Sequence, residues 1–167
     1  MKWVTREYVH VDRTACPWLI KRFIDPRAEF FFVPVERIDY TVKKEKAIPY
    51  DAPNVELGHH ADQCSFDAIV EKYKIKDPPI LELAKIVRAA DTDKPEVAPE
   101  GAGLSAIMTG ISMVAKDDFE AVQNATPVYD ALYSYCKFKL IKEKYKSEIE
   151  RMDKKQIRPF LKQKFKE

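Results

Sequence analysis

Two groups of polar residues in this 167-residue chain have the types and spacing to do chemistry. The denser group is Asp51, Glu56, His59, His60, Asp62 and Cys64, set among turn-forming residues. Glu56 and His59, three positions apart, can share one face of a helical turn, and a carboxylate and an imidazole held that way can bind Fe, Mn or Zn. Two ligands do not make a site, so a third must come from elsewhere in the chain. Asp91 or Asp93, stranded at the end of an otherwise apolar helical stretch, is the natural donor. The ordinary alternative is that these acids cap turns and the histidines lie on the surface.

The second group is His10, Asp12, Arg13, Cys16 and Arg22, around a junction that reads as strand followed by helix. Free backbone N–H groups and the helix dipole favour an anion at such a junction, and arginine donors suit a tetrahedral oxyanion. Cys16 and Arg22 have the C-x5-R spacing of a thiolate cradle, yet the residues between them contain no glycine and read as packed helix. Cys16 is therefore read as a small buried hydrophobe. A third set, Asp117, Asp118, Asp130 and the nearby tyrosines, is accounted for by helix capping and core packing.

The elements that position these groups follow from pattern. Trp3 to Val11 alternates apolar and polar residues and predicts a strand, and Asp12-Arg13-Thr14 offers helix-start chemistry for a helix from Ala15 to Ile24. The run from Ala28 to Pro34, with three consecutive phenylalanines, predicts a buried strand, completing a right-handed β-α-β unit with parallel strands. Ligands of such units collect where strand C-termini meet helix N-termini, here between His10 and Thr14. A weaker strand is predicted from Lys46 to Tyr50. Helices are expected from Phe66 to Tyr73 behind a Ser65 cap, from Ile80 to Ala90, from Gly103 to Val114, from Phe119 to Asn124 and from Pro127 to about Lys164. The fold class expected is α/β, with α+β as the variant: an N-terminal β-α-β unit with a small sheet, packed by a predominantly helical C-terminal part.

Composition bounds the function. A chain with 46% hydrophobic and 34% charged residues is globular, and its length suits one domain, which excludes a disordered tail or a fibrous repeat. No apolar run is long enough to span a membrane, and charge appears too early in the N-terminus for a signal peptide, so a cytoplasmic protein with no membrane partner is expected. Cys16, Cys64 and Cys136 are far apart and odd in number, which predicts reduced thiols, with neither a disulfide framework nor a zinc ribbon. The net charge of +2 hides a basic segment, residues 138–167, with eleven Lys/Arg against five Asp/Glu. Its acids interleave with its lysines at helical spacing, as on a solvated helix, which does not favour nucleic acid as a partner while leaving it open.

The segment from Val9 to Pro26, opening Val9-His10-Val11-Asp12-Arg13-Thr14-Ala15-Cys16-Pro17-Trp18, resembles the opening signature of the ChrB C-terminal, or chromate-resistance, domain. Val55-Glu56-Leu57-Gly58-His59, Cys64-Ser65-Phe66-Asp67, Ile86-Val87-Arg88-Ala89-Ala90-Asp91-Thr92 and Val128-Tyr129-Asp130 follow in the family's order. The resemblance covers residues 3 to 137, leaving 138–167 as a basic helical extension of the same domain. It implies a role in resistance to chromate or its sensing, and its motif positions fall on Asp12, Arg13, Cys16, Glu56, His59, Cys64 and Asp91. The expectation is a metal centre of Glu56, His59 and Asp91 holding one Fe, Mn or Zn ion, with Arg13 and Arg88 orienting a small chromate-like oxyanion. Asp12, Arg13 and Cys64 are the catalytic candidates, and no organic cofactor is expected. The alternative is a regulatory or interaction module whose basic helix contacts nucleic acid or a protein. Oligomeric state is not legible in the sequence.

Overall fold

Three short parallel strands form a sheet in the order β2-β1-β3, with β1 (Lys2–Arg6) between β2 (Glu29–Val33) and β3 (Ile48–Pro49). The computed structural model describes residues 1–167. In register, Val4 lies opposite Phe31 on one side and Pro49 on the other. Successive side chains of β1 point to opposite faces. Trp3 is fully buried in the main core, beside the rings of Tyr50 and Tyr73, while Val4 joins a small cluster with Ile38 and Ala47. That second cluster packs the underside of the sheet with α2 (Ile38–Glu45), an element the sequence pattern does not announce.

The expected β-α-β unit is present, with α1 (Val11–Phe23) as its crossover, but the boundaries move. The first strand ends at Arg6 rather than Val11. Tyr8 turns the chain with φ 61°, and the N–H groups of Tyr8 and Val9 donate to the Asp118 carboxylate, not to a neighbouring strand. Val9 and Val11 are buried by helix packing, so their alternation does not report a strand. Helix α1 thus starts at Val11, four residues before the expected Ala15, and places Asp12 in its first turn. The phenylalanine run forms β2, an edge strand whose rings are only half-buried.

The helical remainder comprises α3 (Ser65–Lys72), α4 (Pro78–Asp91), α5 (Glu100–Val114), α6 (Asp118–Lys144), α7 (Lys146–Ile149) and α8 (Lys154–Lys166), making the chain a helix-rich α/β protein. Cys64, rather than Ser65, is the residue before α3. Helix α6 runs unbroken through Pro127 and across residues 137 and 138. One face of it, carrying Ala121, Ala125, Tyr129 and Cys136, is buried, and that packing outweighs the backbone hydrogen bond the proline removes. The expected single helix to Lys164 is instead folded back after Tyr145. Asp153 and Gln156 form a capping box that starts α8, and the Lys137 ammonium caps its far end through the Phe165 carbonyl at 2.6 Å. No helix is long and apolar enough to cross a membrane.

Helices α4 and α5 cross closely at Gly101. A Cβ there would lie 2.6 Å from the Ala89 Cβ and 2.9 Å from the Ala90 nitrogen, so backbone would have to move. Gly101→Ala is expected to lower stability by about 1–3 kcal/mol in urea unfolding, whereas Gly103→Ala, where a Cβ meets nothing within 4 Å, should stabilise the exposed helix slightly. Equal midpoints for the two variants would show that the crossing is not tight.

Candidate metal centre

Three chain segments converge at the C-terminal edge of the sheet. The first turn of α1 brings Asp12, the loop after β3 brings Asp51 and His59, and the last residue of α4 is Asp91. His59 Nε2 stands 3.1 Å from Asp91 Oδ2, 3.3 Å from Asp51 Oδ1 and 3.5 Å from Asp12 Oδ2. Ligand atoms of Asp12, His59 and Asp91 all lie within 4.8 Å of one another, a separation that one ion can bridge.

Backbone donors fix the carboxylates. Ser65 N–H, the first of α3, donates to Asp12 Oδ2 at 2.5 Å, and Asp12 N–H donates to Asp91 Oδ1 at 3.2 Å. The positive ends of α1 and α3 thereby face the cluster. Asp12 is 1% exposed, and its Oδ1 is buried with no hydrogen-bond partner. An unpartnered carboxylate oxygen in such a place is costly unless a cation meets it.

Asp51 is held differently. It is buried, has φ 43°, and its carboxylate accepts from Arg13 Nη1 at 2.8 Å and from Arg6 Nη2 at 3.2 Å. Two guanidinium groups thus balance Asp51, whereas Asp12 and Asp91 have His59 as their nearest cationic partner. These residues, with His10 and Val11, line a cleft of about 330 Å³ that opens to solvent.

The charge imbalance shows in the titration. Hydrogen bonding to Asp12 and the negative charge of Asp12, Asp91 and Asp51 hold a proton on His59, raising it to about 9 against the opposing effect of burial. Burial, followed by the charges of Asp12 and Asp51, raises Asp91 to about 7. Both groups bind protons more tightly folded than unfolded. The stability His59 supplies is complete below its ordinary value of 6.5 and is lost as pH rises through about 9; Asp91 acts in the same direction up to about 7. Metal-free protein is therefore expected to unfold at lower urea at pH 9 than at pH 6, with a smaller drop in His59→Gln. A midpoint that rises with pH would contradict this arrangement.

The remaining candidates lie elsewhere. Glu56, expected as a ligand with His59, is well exposed and pairs with Lys72 at 2.6 Å, because the backbone between Glu56 and His59 is bridged at Leu57 to Tyr50 and does not form the helical turn that would place the two side chains on one face. Asp12 occupies the position expected of it. His60 turns outward to the Glu56 carbonyl, Asp62 pairs with Lys94, and Asp93 sits in a left-handed turn beyond α4. Arg13 reaches the cleft, whereas Arg88 is engaged with Asp67 at 3.0 and 3.1 Å and is not among the residues lining it.

Cys64 is fully buried, and burial with the Asp12 and Asp67 charges pushes its thiol far up, so it stays protonated, unlike a nucleophile. Cys16 is likewise buried and held protonated, and Arg22 pairs with Asp130 on another face, so the C-x5-R spacing forms no anion cradle. Arg6 escapes sequence reasoning; its one legible signal is its place at the C-terminal end of a parallel strand, where ligands gather.

The family model described as ChrB, C-terminal domain, matches residues 3–136. Over 135 residues the chain is 29% identical to Protein ChrB of Cupriavidus metallidurans, which covers 80% of this chain and 40% of that protein. The chain therefore corresponds to less than half of that relative. No solved structure matches.

Proposed function

This chain belongs to the ChrB C-terminal domain family, a family associated with chromate resistance, and from that premise we propose that it binds a chromate-like oxyanion at a single metal centre. The observation that carries the reading is the buried, unpartnered Asp12 Oδ1 within a cluster of Asp12, His59 and Asp91. Two carboxylates and an imidazole suit Fe, Mn or Zn, and three protein ligands leave coordination positions for a solvent or an anion. When bound, the ion would supply Lewis acidity to an oxygen ligand.

The protein's own residues would do the rest. Asp12, His59 and Asp91 would hold the ion, while the N-termini of α1 and α3 stabilise the carboxylates in their charged form. Arg13 and Arg6, on the wall of the same cleft, are placed to donate to an oxyanion, with Asp51 keeping both guanidinium groups oriented. His59 must lose its proton to ligate, so metal uptake should tighten as pH rises.

Elemental analysis of protein purified without added metal or chelator, beside its His59→Ala and Glu56→Ala variants, tests the reading. Near-stoichiometric Fe, Mn or Zn is expected in the parent and in Glu56→Ala, and none in His59→Ala. Chromate or the isostructural sulfate should then bind the loaded parent and bind at least about tenfold more weakly to Arg13→Ala. Absence of metal from all three proteins, or retention in all three, would overturn the assignment.

A further inference from the structure

A second feature lies far from this cluster, in the segment beyond the family match. Where α8 folds back along α6 it leaves a groove of about 810 Å³. Its floor is apolar: Ile157, Leu161 and Phe165 of α8 with Phe138 of α6. Its rim is cationic: Lys154, Arg158, Lys162 and Lys166. Floor and rim both repeat every fourth residue of α8, so two parallel rows, one apolar and one basic, run the length of the helix, about 18 Å.

The rim cations carry the argument. None of the four is ion-paired, in contrast to Lys164, which pairs with Glu167 at 2.9 Å, and residues 154–166 contain no acid at all. Four unneutralised cations beside a recessed apolar floor demand an occupant that offers both acids and apolar side chains. The groove is built rather than incidental. Lys137 caps α8, and Tyr145 meets Phe160 edge-on at 5.5 Å, tying the helix back onto its hairpin.

We infer that the α6–α8 groove docks an acidic amphipathic helix of a partner protein. Such a helix would lay apolar residues at positions i, i+4 and i+7 onto Ile157, Leu161 and Phe165 and set its acids against the four-cation rim. A membrane surface fits less well, because Leu161 at the centre of the floor is 7% exposed and only Phe138, at 38%, projects, whereas insertion into lipid needs a projecting apolar row. Duplex nucleic acid would use the cations and leave the apolar floor without a role.

The test is fluorescence anisotropy with the full chain and three labelled peptides of roughly 18 residues. One is a designed helix with a leucine stripe flanked by glutamates, one is a scramble of the same composition without helical periodicity, and one has every Glu replaced by Lys. The amphipathic acidic peptide is expected to bind at micromolar concentration, with each of the others at least about tenfold weaker. The triple variant K154E/R158E/K162E, whose substituted residues are exposed and whose circular dichroism should match the parent, is expected to reverse the preference between Glu and Lys peptides. Equal binding of the periodic and scrambled peptides would overturn the proposal. So would no binding at roughly 100 μM, or tighter binding to duplex DNA or to vesicles of anionic phospholipid.

Discussion

Asp12→Asn is expected to weaken metal binding by about 100-fold or more while leaving the fold intact, and to bring the His59 titration down toward its ordinary value. Asparagine keeps the shape and an oxygen that can accept from Ser65 N–H, so the 2.5 Å contact that anchors the start of α3 survives. What it removes is the negative charge that cannot be satisfied by the protein alone. The Asp12 carboxylate is the foremost cause of the raised His59 value and a contributor to the raised Asp91 value. Both values should therefore fall in the variant. Isothermal titration with Mn²⁺ and Zn²⁺ reports the ligand role, and an NMR titration of His59 reports the electrostatic one. Parent-like affinity in the variant would remove Asp12 from the ligand set even if His59 shifts as expected.

Asp51→Ala carries the largest expected stability effect, a loss of about 3–5 kcal/mol in urea unfolding. Asp51 is 3% exposed and is the carboxylate partner of Arg13 at 2.8 Å and of Arg6 at 3.2 Å. Removing it leaves two guanidinium groups facing protonated His59 across the cleft. The backbone adds a second penalty, since φ is 43° at this position and a left-handed conformation costs alanine about 1–2 kcal/mol. Asparagine tolerates that conformation. Asp51→Asn should therefore lose the charge pairing but not the backbone term, and unfold about 1 kcal/mol later than Asp51→Ala. Coincident curves for the two variants would mean the turn stores no strain, and parent-like curves for both would mean the arginines are held by other contacts.

Local pattern was enough for the parallel β-α-β unit, the apolar stretch of α4 and the helical character of the C-terminal part, though not for its division into α6, α7 and α8, because each depends on the period of apolar residues along a few turns. It misplaced boundaries wherever a distant group took over the backbone. The strand ending at Arg6 is set by Asp118, more than a hundred residues away, and α6 continues through Pro127 because one long face is buried. Helix α2 was not legible, since its residues become apolar contacts only when the underside of the sheet exists to receive them.

The same division runs through the candidate site. Residue type and order singled out His59, Asp91, Asp12 and Arg13, and the resemblance to the ChrB C-terminal domain rested on those positions as they stand in the chain. Which of them meet was decided by tertiary structure. Spacing paired Glu56 with His59, but side chains three apart share a face only if the backbone between them is helical, and here Leu57 bridges to Tyr50 instead. Asp12 and Asp91, seventy-nine residues apart, are joined instead by a backbone N–H at 3.2 Å, because the first turn of α1 abuts the last turn of α4. Sequence determined the donor chemistry available to this protein; only the packing of three segments around one imidazole decided which donors share a charge, because Coulombic coupling follows distance through space and not along the chain.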